Sequence, residues 1–302
     1  SSSSALSSGV EAQQLHLARM RTFAYLLLQF FCVADAIGGK RLQLTVDGYR
    51  VMIYKPLQKI SLRPLEKTAQ PKKIPGIMVL HGSYNVPEDM FDIGFEPLAE
   101  EHNFLLIYPS MKQSWGVQWG YKSDLPFFSA LSDRLIMDDI GLDRSQLYVC
   151  GHSAGGSMSL FLSNEMDMFQ GAGAVEGAVG HSSQWNMSRS GHRTMVVWNH
   201  NDPVLTEYAP AGGEPAFFNF TIQTLRRNAS AHPVASRGLE VSPAVPHAEV
   251  LSFAEEGVIP ELEVLSWRSE PGIHKWPSRS WTHSLDAAEQ LTHFFLGRKV
   301  IV

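Results

Sequence analysis

Ser153 stands in a setting that suits nucleophilic chemistry: Gly151-His152-Ser153-Ala154-Gly155, directly after the apolar run Gln146 to Cys150 and ahead of a helix-like stretch from Ala154 to Met166. A serine on so sharp a strand-to-helix turn takes strained backbone angles, and the residues two before and two after it must be small for the chain to fold back. Gly151 and Gly155 meet that demand. A serine hydroxyl is a poor nucleophile at neutral pH, so it needs a histidine to take its proton and a carboxylate to orient that histidine. On a turn of this type the order along the chain is serine, acid, histidine. Asp202, in Asn199-His200-Asn201-Asp202-Pro203-Val204 just after the run Thr194 to Trp198, is the candidate acid, with Glu207 as the nearest spare. His274 is the candidate base, reached from the run Leu262 to Trp267 across Glu270-Pro271-Gly272; His283 is its rival on a longer path.

Acyl transfer also needs donors for the oxyanion of its tetrahedral intermediate. The backbone amide of Ala154 is one, and the amide of Ser83 or Tyr84, in His81-Gly82-Ser83-Tyr84 after the run Ile77 to Leu80, is the other. Trp115, Trp119 and Tyr121 follow the run Phe104 to Tyr108, Trp185 follows Ala172 to Val179, and Trp276 stands two residues from the base. Residues beyond the carboxyl ends of strands face the ligand in an open α/β sheet, so Trp115, Trp119, Trp185 and Trp276 are candidate substrate contacts, with core packing as their plainer alternative. This chemistry needs no cofactor. His152, His200 and His247 have no paired ligand spacing, so no metal site is expected.

The elements that must bring these residues together are legible as short continuous apolar runs, of the kind buried on both faces: Gly76 to Leu80, Phe104 to Tyr108, Gln146 to Cys150, Ala172 to Val179, Thr194 to Trp198 and Leu262 to Trp267. Helix-like stretches lie between or after them at Phe95 to His102, Phe127 to Ile140, Ala154 to Met166, Ala216 to Arg227 and Ser284 to Leu296. Such alternation predicts a three-layer α/β sandwich with a mostly parallel sheet. Lys40 to Val46 and Tyr49 to Tyr54, around Asp47-Gly48, predict an N-terminal antiparallel hairpin. Ala229 to Pro260, rich in Pro, Ala and Ser, is expected to be a long loop or small insertion.

With 302 residues, 44% hydrophobic and 18% charged, the chain can bury one large core, and with a net charge of -5 nothing in it predicts nucleic-acid binding. Met20-Arg21-Thr22, the apolar run Phe23 to Val33 and Ala34-Asp35-Ala36 have the order of a secretory signal peptide cut after Ala36. The run is too short for the ~20 residues of a membrane span. Residues 1–19 are expected to be an upstream remnant, 20–36 the signal and 37–302 a single catalytic domain. Cys32 falls in the signal, so Cys150 alone would remain, a buried strand residue with no partner for a disulfide. Asn186, Asn219 and Asn228 head glycosylation sequons, in keeping with export.

Val79-Leu80-His81-Gly82-Ser83, Trp115-Gly116 with Trp119-Gly120, Tyr148 to Gly156, Asn201-Asp202-Pro203-Val204 and Gly272-Ile273-His274-Lys275-Trp276-Pro277 together resemble the secreted esterase family of extracellular poly(3-hydroxybutyrate) depolymerases, feruloyl esterases and acetylxylan esterases. The likeness runs from Gly76 to Leu296. Its most specific piece is the last, similar to the family's Gly-Gly-His-x-Trp-Pro signature, which selects His274 over His283. The resemblance implies an α/β-hydrolase fold, a Ser153–Asp202–His274 triad and a carboxylic-ester substrate. The chain departs from the family where Ser83-Tyr84-Asn85 replace two glycines and Asn199-His200-Asn201-Asp202 replaces His-Gly-x-x-Asp. The other readings are a serine peptidase of the prolyl-oligopeptidase type, for whose propeller the chain has no room, and a catalytically silent binding protein of the same fold.

Overall fold

The computed structural model describes residues 33–34, 39–57, 73–111, 121–137, 140–180, 193–209, 211–229, 232–239, 242–254, 261–282 and 285–297. Asp47 and Gly48 take positive φ values of 50° and 82° and turn the chain between β2 (Lys40–Val46) and β3 (Tyr49–Lys55), which pair antiparallel residue for residue. A two-residue β1 (Val33–Ala34) adds to the outer edge of β2. From β3 the sheet continues through β5 (Leu105–Pro109) to β4 (Ile74–Leu80), and then through β6 (Leu142–His152), β7 (Gly171–Val175), β8 (Arg193–Asn199) and β11 (Leu262–Arg268). All neighbours from β5 to β11 in that order are parallel.

Period-two alternation along these strands divides the core into two layers. Met78, Leu80, Val149, Val196 and Trp198 face one side, where they meet α2 (Tyr121–Met137), α3 (Ala154–Glu165) and α5 (Gly213–Ala229). Ile77, Val79, Cys150, Met195 and Val197 face the other, where they meet α1 (Phe95–His102) and α7 (Ala287–Leu296). The three-layer architecture with its N-terminal antiparallel hairpin is therefore present. Cys150 is buried and free, and burial pushes its thiol pKa well up, as befits a packing residue. No described helix is long and apolar enough to cross a membrane.

The segment 229–260 corrects the sequence reading. Where a long loop or small insertion is expected, β9 (His232–Gly238) and β10 (His247–Ala254) extend the sheet antiparallel beyond β11. Pro233 is tolerated because β9 is an edge strand, and the register shifts at Ser252/Phe253, opposite that proline. In β10, Ala248 and Val250 face one core layer and Leu251 and Phe253 the other, but the interspersed Glu249 and Ser252 and the prolines on either side hide the pattern.

Candidate active site

At the carboxyl end of β6 the chain reverses into α3, and Ser153 at the apex has φ 54° and ψ -120°. This backbone is sterically costly for a side chain and persists only because its surroundings dictate it. A Cβ on Gly151 would lie 2.5 Å from the Gly155 carbonyl carbon, and one on Gly155 would lie 2.3 Å from the Leu80 carbonyl oxygen. The Ser153 amide donates to the Val175 carbonyl at 2.8 Å, tying the turn to the next strand.

Asp202 is wholly buried at the N-terminus of the short α4 (Pro203–Glu207). Its Oδ1 accepts from the amides of Val204 at 2.8 Å and Leu205 at 3.0 Å, a capping arrangement that fixes the carboxylate. Its Oδ2 is then free to accept from Nδ1 of His274 at 2.6 Å. This leaves Nε2 of His274 as the basic nitrogen. The His274 ring lies 4.9 Å from that of His152, the residue preceding Ser153. Asp202, just beyond β8, and His274, in the loop after β11, are thus joined, with the residue before Ser153 against the His274 ring. Glu207 is exposed at the far end of α4, and His283 lies outside the described residues.

Two asparagines that the sequence reading noted only as a departure hold the acid and base loops together. Asn199, fully buried, donates through Nδ2 to Ser269 Oγ and to the Ile273 carbonyl, both at 2.8 Å. Asn201 accepts at Oδ1 from the Ser269 amide at 3.0 Å and donates to the Ser269 carbonyl. Gly272 is needed between them, since a Cβ there would stand 2.3 Å from the Asn201 carbonyl oxygen. His200 turns away from the site, its Nδ1 lying 3.2 Å from Glu214 of α5.

The loop after β4 reaches the nucleophile through Gly82, where a Cβ would lie 3.4 Å from Ser153 Cβ. It turns sharply, with Tyr84 at φ 62° and the Asn85 amide donating to the Gly82 carbonyl. His81 anchors the loop: its Nε2 accepts from the Met111 amide at 3.2 Å, so Nδ1 carries the proton and donates to the Gly82 carbonyl at 2.9 Å. Burial lowers the His81 pKa, keeping the ring in this neutral form. Ser83 and Tyr84 follow Gly82 directly in this turn. The Ala154 amide, first in α3, has no acceptor within its helix.

The aromatic candidates separate. Trp276 is a correction: only 5% exposed, it packs in the core with its ring 5.8 Å from Phe95 and offers nothing to a substrate. Its place two residues from His274 on a tight loop turns it inward. Trp115, Trp119 and Trp185 lie outside the described residues. Tyr121 begins α2 with its hydroxyl on Ser157 and its ring 5.2 Å from Phe161 of α3. Tyr84, 79% exposed, and Tyr208, 75% exposed at the end of α4, are aromatic residues on loops at the same sheet end that the sequence reading did not select for their side chains.

One buried acid at the site was missed altogether. Glu176 follows β7 at 1% exposure with φ 51°, and its Oε2 lies 3.2 Å from His152 Nε2 and 3.3 Å from His274 Nδ1. A lone carboxylate in Gly171-Ala-Gly-Ala-Val-Glu-Gly-Ala-Val-Gly180 was the available signal. Burial foremost, and then the Asp202 charge and a hydrogen bond with Asp202, push its pKa well up, which favours the protonated form. Burial and the neighbouring His274 push His152 down to about 3, so that ring is neutral. His152, Glu176 and His274 place three ligand-type atoms within 4.8 Å of one another, but His274 Nδ1 is already committed to Asp202.

No family model matches the sequence, and no curated protein matches it. Among solved structures, an acetyl xylan esterase from Aspergillus awamori superposes with a TM-score of 0.59 over 86% of this chain and 99% of its own, at 15% identity. An S-formylglutathione hydrolase from Staphylococcus aureus superposes with a TM-score of 0.47 over 61% of this chain and 83% of its own, also at 15% identity. Likeness at such identity is likeness of fold. The sheet order, the turn at Ser153 and the near-complete coverage of the first structure define the fold as that of the α/β-hydrolases.

Proposed function

We propose that this chain is a serine carboxylic-ester hydrolase working through an acyl-enzyme, with Ser153 as nucleophile, His274 as base and Asp202 as orienting acid. The observation that carries the reading is the 2.6 Å hydrogen bond from His274 to a capped, buried Asp202 beside the strained turn of Ser153. Ser153 Oγ attacks the ester carbonyl while its proton passes to His274 Nε2, and the Nδ1 proton stays hydrogen-bonded to Asp202. The oxyanion is received by the Ala154 amide and the amide of Ser83 or Tyr84. Collapse breaks the bond to the alcohol, which leaves with the proton from Nε2. Water then repeats the attack and frees the acid.

Acetylated polysaccharides, feruloyl esters and short hydroxyalkanoates are the proposed substrates. The sequence resemblance and the fold likeness to an acetyl xylan esterase both support ester cleavage of this kind. Purified protein assayed on p-nitrophenyl acetate, feruloyl esters, acetylated xylan and polyhydroxybutyrate is expected to hydrolyse at least one of them; cleavage of peptide substrates alone would overturn the reading. Exposed Tyr84, two residues after the Gly82 that approaches Ser153, offers a flat apolar ring with a polar edge. Tyr84→Asn keeps the left-handed backbone, which asparagine tolerates, while removing the ring. It is expected to raise KM for an aryl ester several-fold and to change kcat less, as loss of uniform binding does. An unchanged KM would remove Tyr84 from the substrate cleft.

The same reading has the protein exported, with the two-residue edge strand β1 (Val33–Ala34) removed along with the leader. Amino-terminal sequencing of secreted material is expected to begin at Ile37, and secreted protein that retains residues 23–33 would contradict it.

A further inference from the structure

We propose that Glu176 is a second positioning acid for His274, placed to take over from Asp202 when the Asp202 charge is lost. The inference rests on the triad reading above and adds to it a residue from a different strand. Its geometric basis is the 3.3 Å approach of Glu176 Oε2 to His274 Nδ1, the same nitrogen that donates to Asp202 at 2.6 Å. Nothing in the packing of β7 requires a carboxylate there. The chain holds Glu176 in a left-handed backbone at φ 51°, buried to 1%, with Oε1 lacking any hydrogen-bond partner. A buried acid in a strained conformation with an unsatisfied oxygen is a cost that ordinary packing would not retain.

Two carboxylates on one nitrogen cannot both be charged in so dry a place, so one keeps a proton. Asp202 is the charged member because two backbone amides cap it. Glu176 is the neutral member. The groups that face it are His152 at the end of β6, Asp202 at the start of α4, and His274 with the Lys275 backbone amide in the loop after β11. The Lys275 ammonium itself lies over the Trp281 ring, 5.6 Å from its centroid. Removing the Asp202 charge removes both the repulsion and the hydrogen bond that help keep Glu176 protonated. Glu176 can then ionise and accept the Nδ1 proton of His274, which keeps Nε2 as the base.

Asp202→Asn is the deciding variant. Asparagine is an equally good helix cap, so α4 is retained. In a triad with one acid this change costs about 10⁴ in kcat, because the histidine adopts the wrong tautomer. Here the loss is expected to be about 10² or less at alkaline pH, with the acid limb of the kcat/KM profile moved upward by about one unit or more as the buried Glu176 must first ionise. Glu176→Gln alone, with Asp202 intact, is expected to lower kcat less than about tenfold, and Asp202→Asn with Glu176→Gln to fall by about 10⁴ with no shifted limb remaining. A role of Glu176 in folding alone would not move that limb. Ser153→Ala and His274→Ala are measured alongside on the same substrate. If both are inactive while Asp202→Asn loses about 10⁴ at every pH and the double variant adds nothing, the Glu176 proposal falls and the triad stands. If Ser153→Ala is as active as the unmodified chain, the triad itself is wrong.

Discussion

Ser153→Ala and His274→Ala are each expected to lower kcat by about 10⁶, and the two together by hardly more, because nucleophile and base act as one unit. The hydroxyl of Ser153 has no reactivity of its own at neutral pH; it acquires it only while His274 Nε2 can receive its proton. The structure commits Nδ1 to Asp202, so Nε2 alone can serve, and loss of either partner leaves only the oxyanion amides and substrate binding. The measurement is kcat/KM on p-nitrophenyl acetate for both single variants and the double, with thermal melting to show that each is folded. Multiplication of the two losses would mean that Ser153 and His274 work independently and would overturn the proposed triad. His283→Ala is expected to keep most activity, and an inactive His283→Ala beside an active His274→Ala would transfer the role of base.

The sequence points to Ser153 and Asp202 because each lies just beyond a continuous apolar strand, and burial on both faces makes such strands easy to read; His274, farther from its strand, is singled out by the Gly272 to Pro277 signature. The hairpin at Asp47-Gly48 and the helix Phe95–His102 are equally plain, since turn chemistry and apolar spacing agree there. What escapes is what depends on contacts distant in sequence. Glu176 reads as part of an apolar run until the fold brings His274, 98 residues later, against it. Asn199 and Asn201 are ordinary polar turn residues until Ser269 and Ile273 arrive. Trp276 misleads in the opposite sense: proximity to the base along the chain says nothing of the side on which the ring falls, and here it falls against Phe95. The edge strand His232–Gly238 escapes because an edge tolerates proline and exposes its side chains, which removes the periodic signal.

Gly155→Ala is expected to damage both stability and catalysis, although it adds a single methyl group. The added Cβ would stand 2.3 Å from the Leu80 carbonyl oxygen and 2.6 Å from that of His81. Both are backbone atoms of a central strand and its exit, so no flexible side chain can swing aside. Overpacking of this kind costs about 1–3 kcal/mol, a sizeable part of an ordinary folding stability of about 5–15 kcal/mol. In a chain of this size that lowers Tm by roughly 2–5 °C. Relief can come only by pushing the start of α3 away from the end of β4, and that separates the Ala154 amide from the Ser83-Tyr84 loop. Misplacing one oxyanion donor costs about 10²–10³ in kcat. Gly48→Ala is the control: its φ is 82°, but an added Cβ meets nothing within 4 Å, so only the left-handed backbone is penalised, by about 1–2 kcal/mol, and kcat is unchanged. Circular-dichroism melting and kcat on p-nitrophenyl acetate distinguish the two variants. A Gly155→Ala protein with unaltered Tm and kcat would show that β4 and α3 are not in the close contact from which the oxyanion site is built.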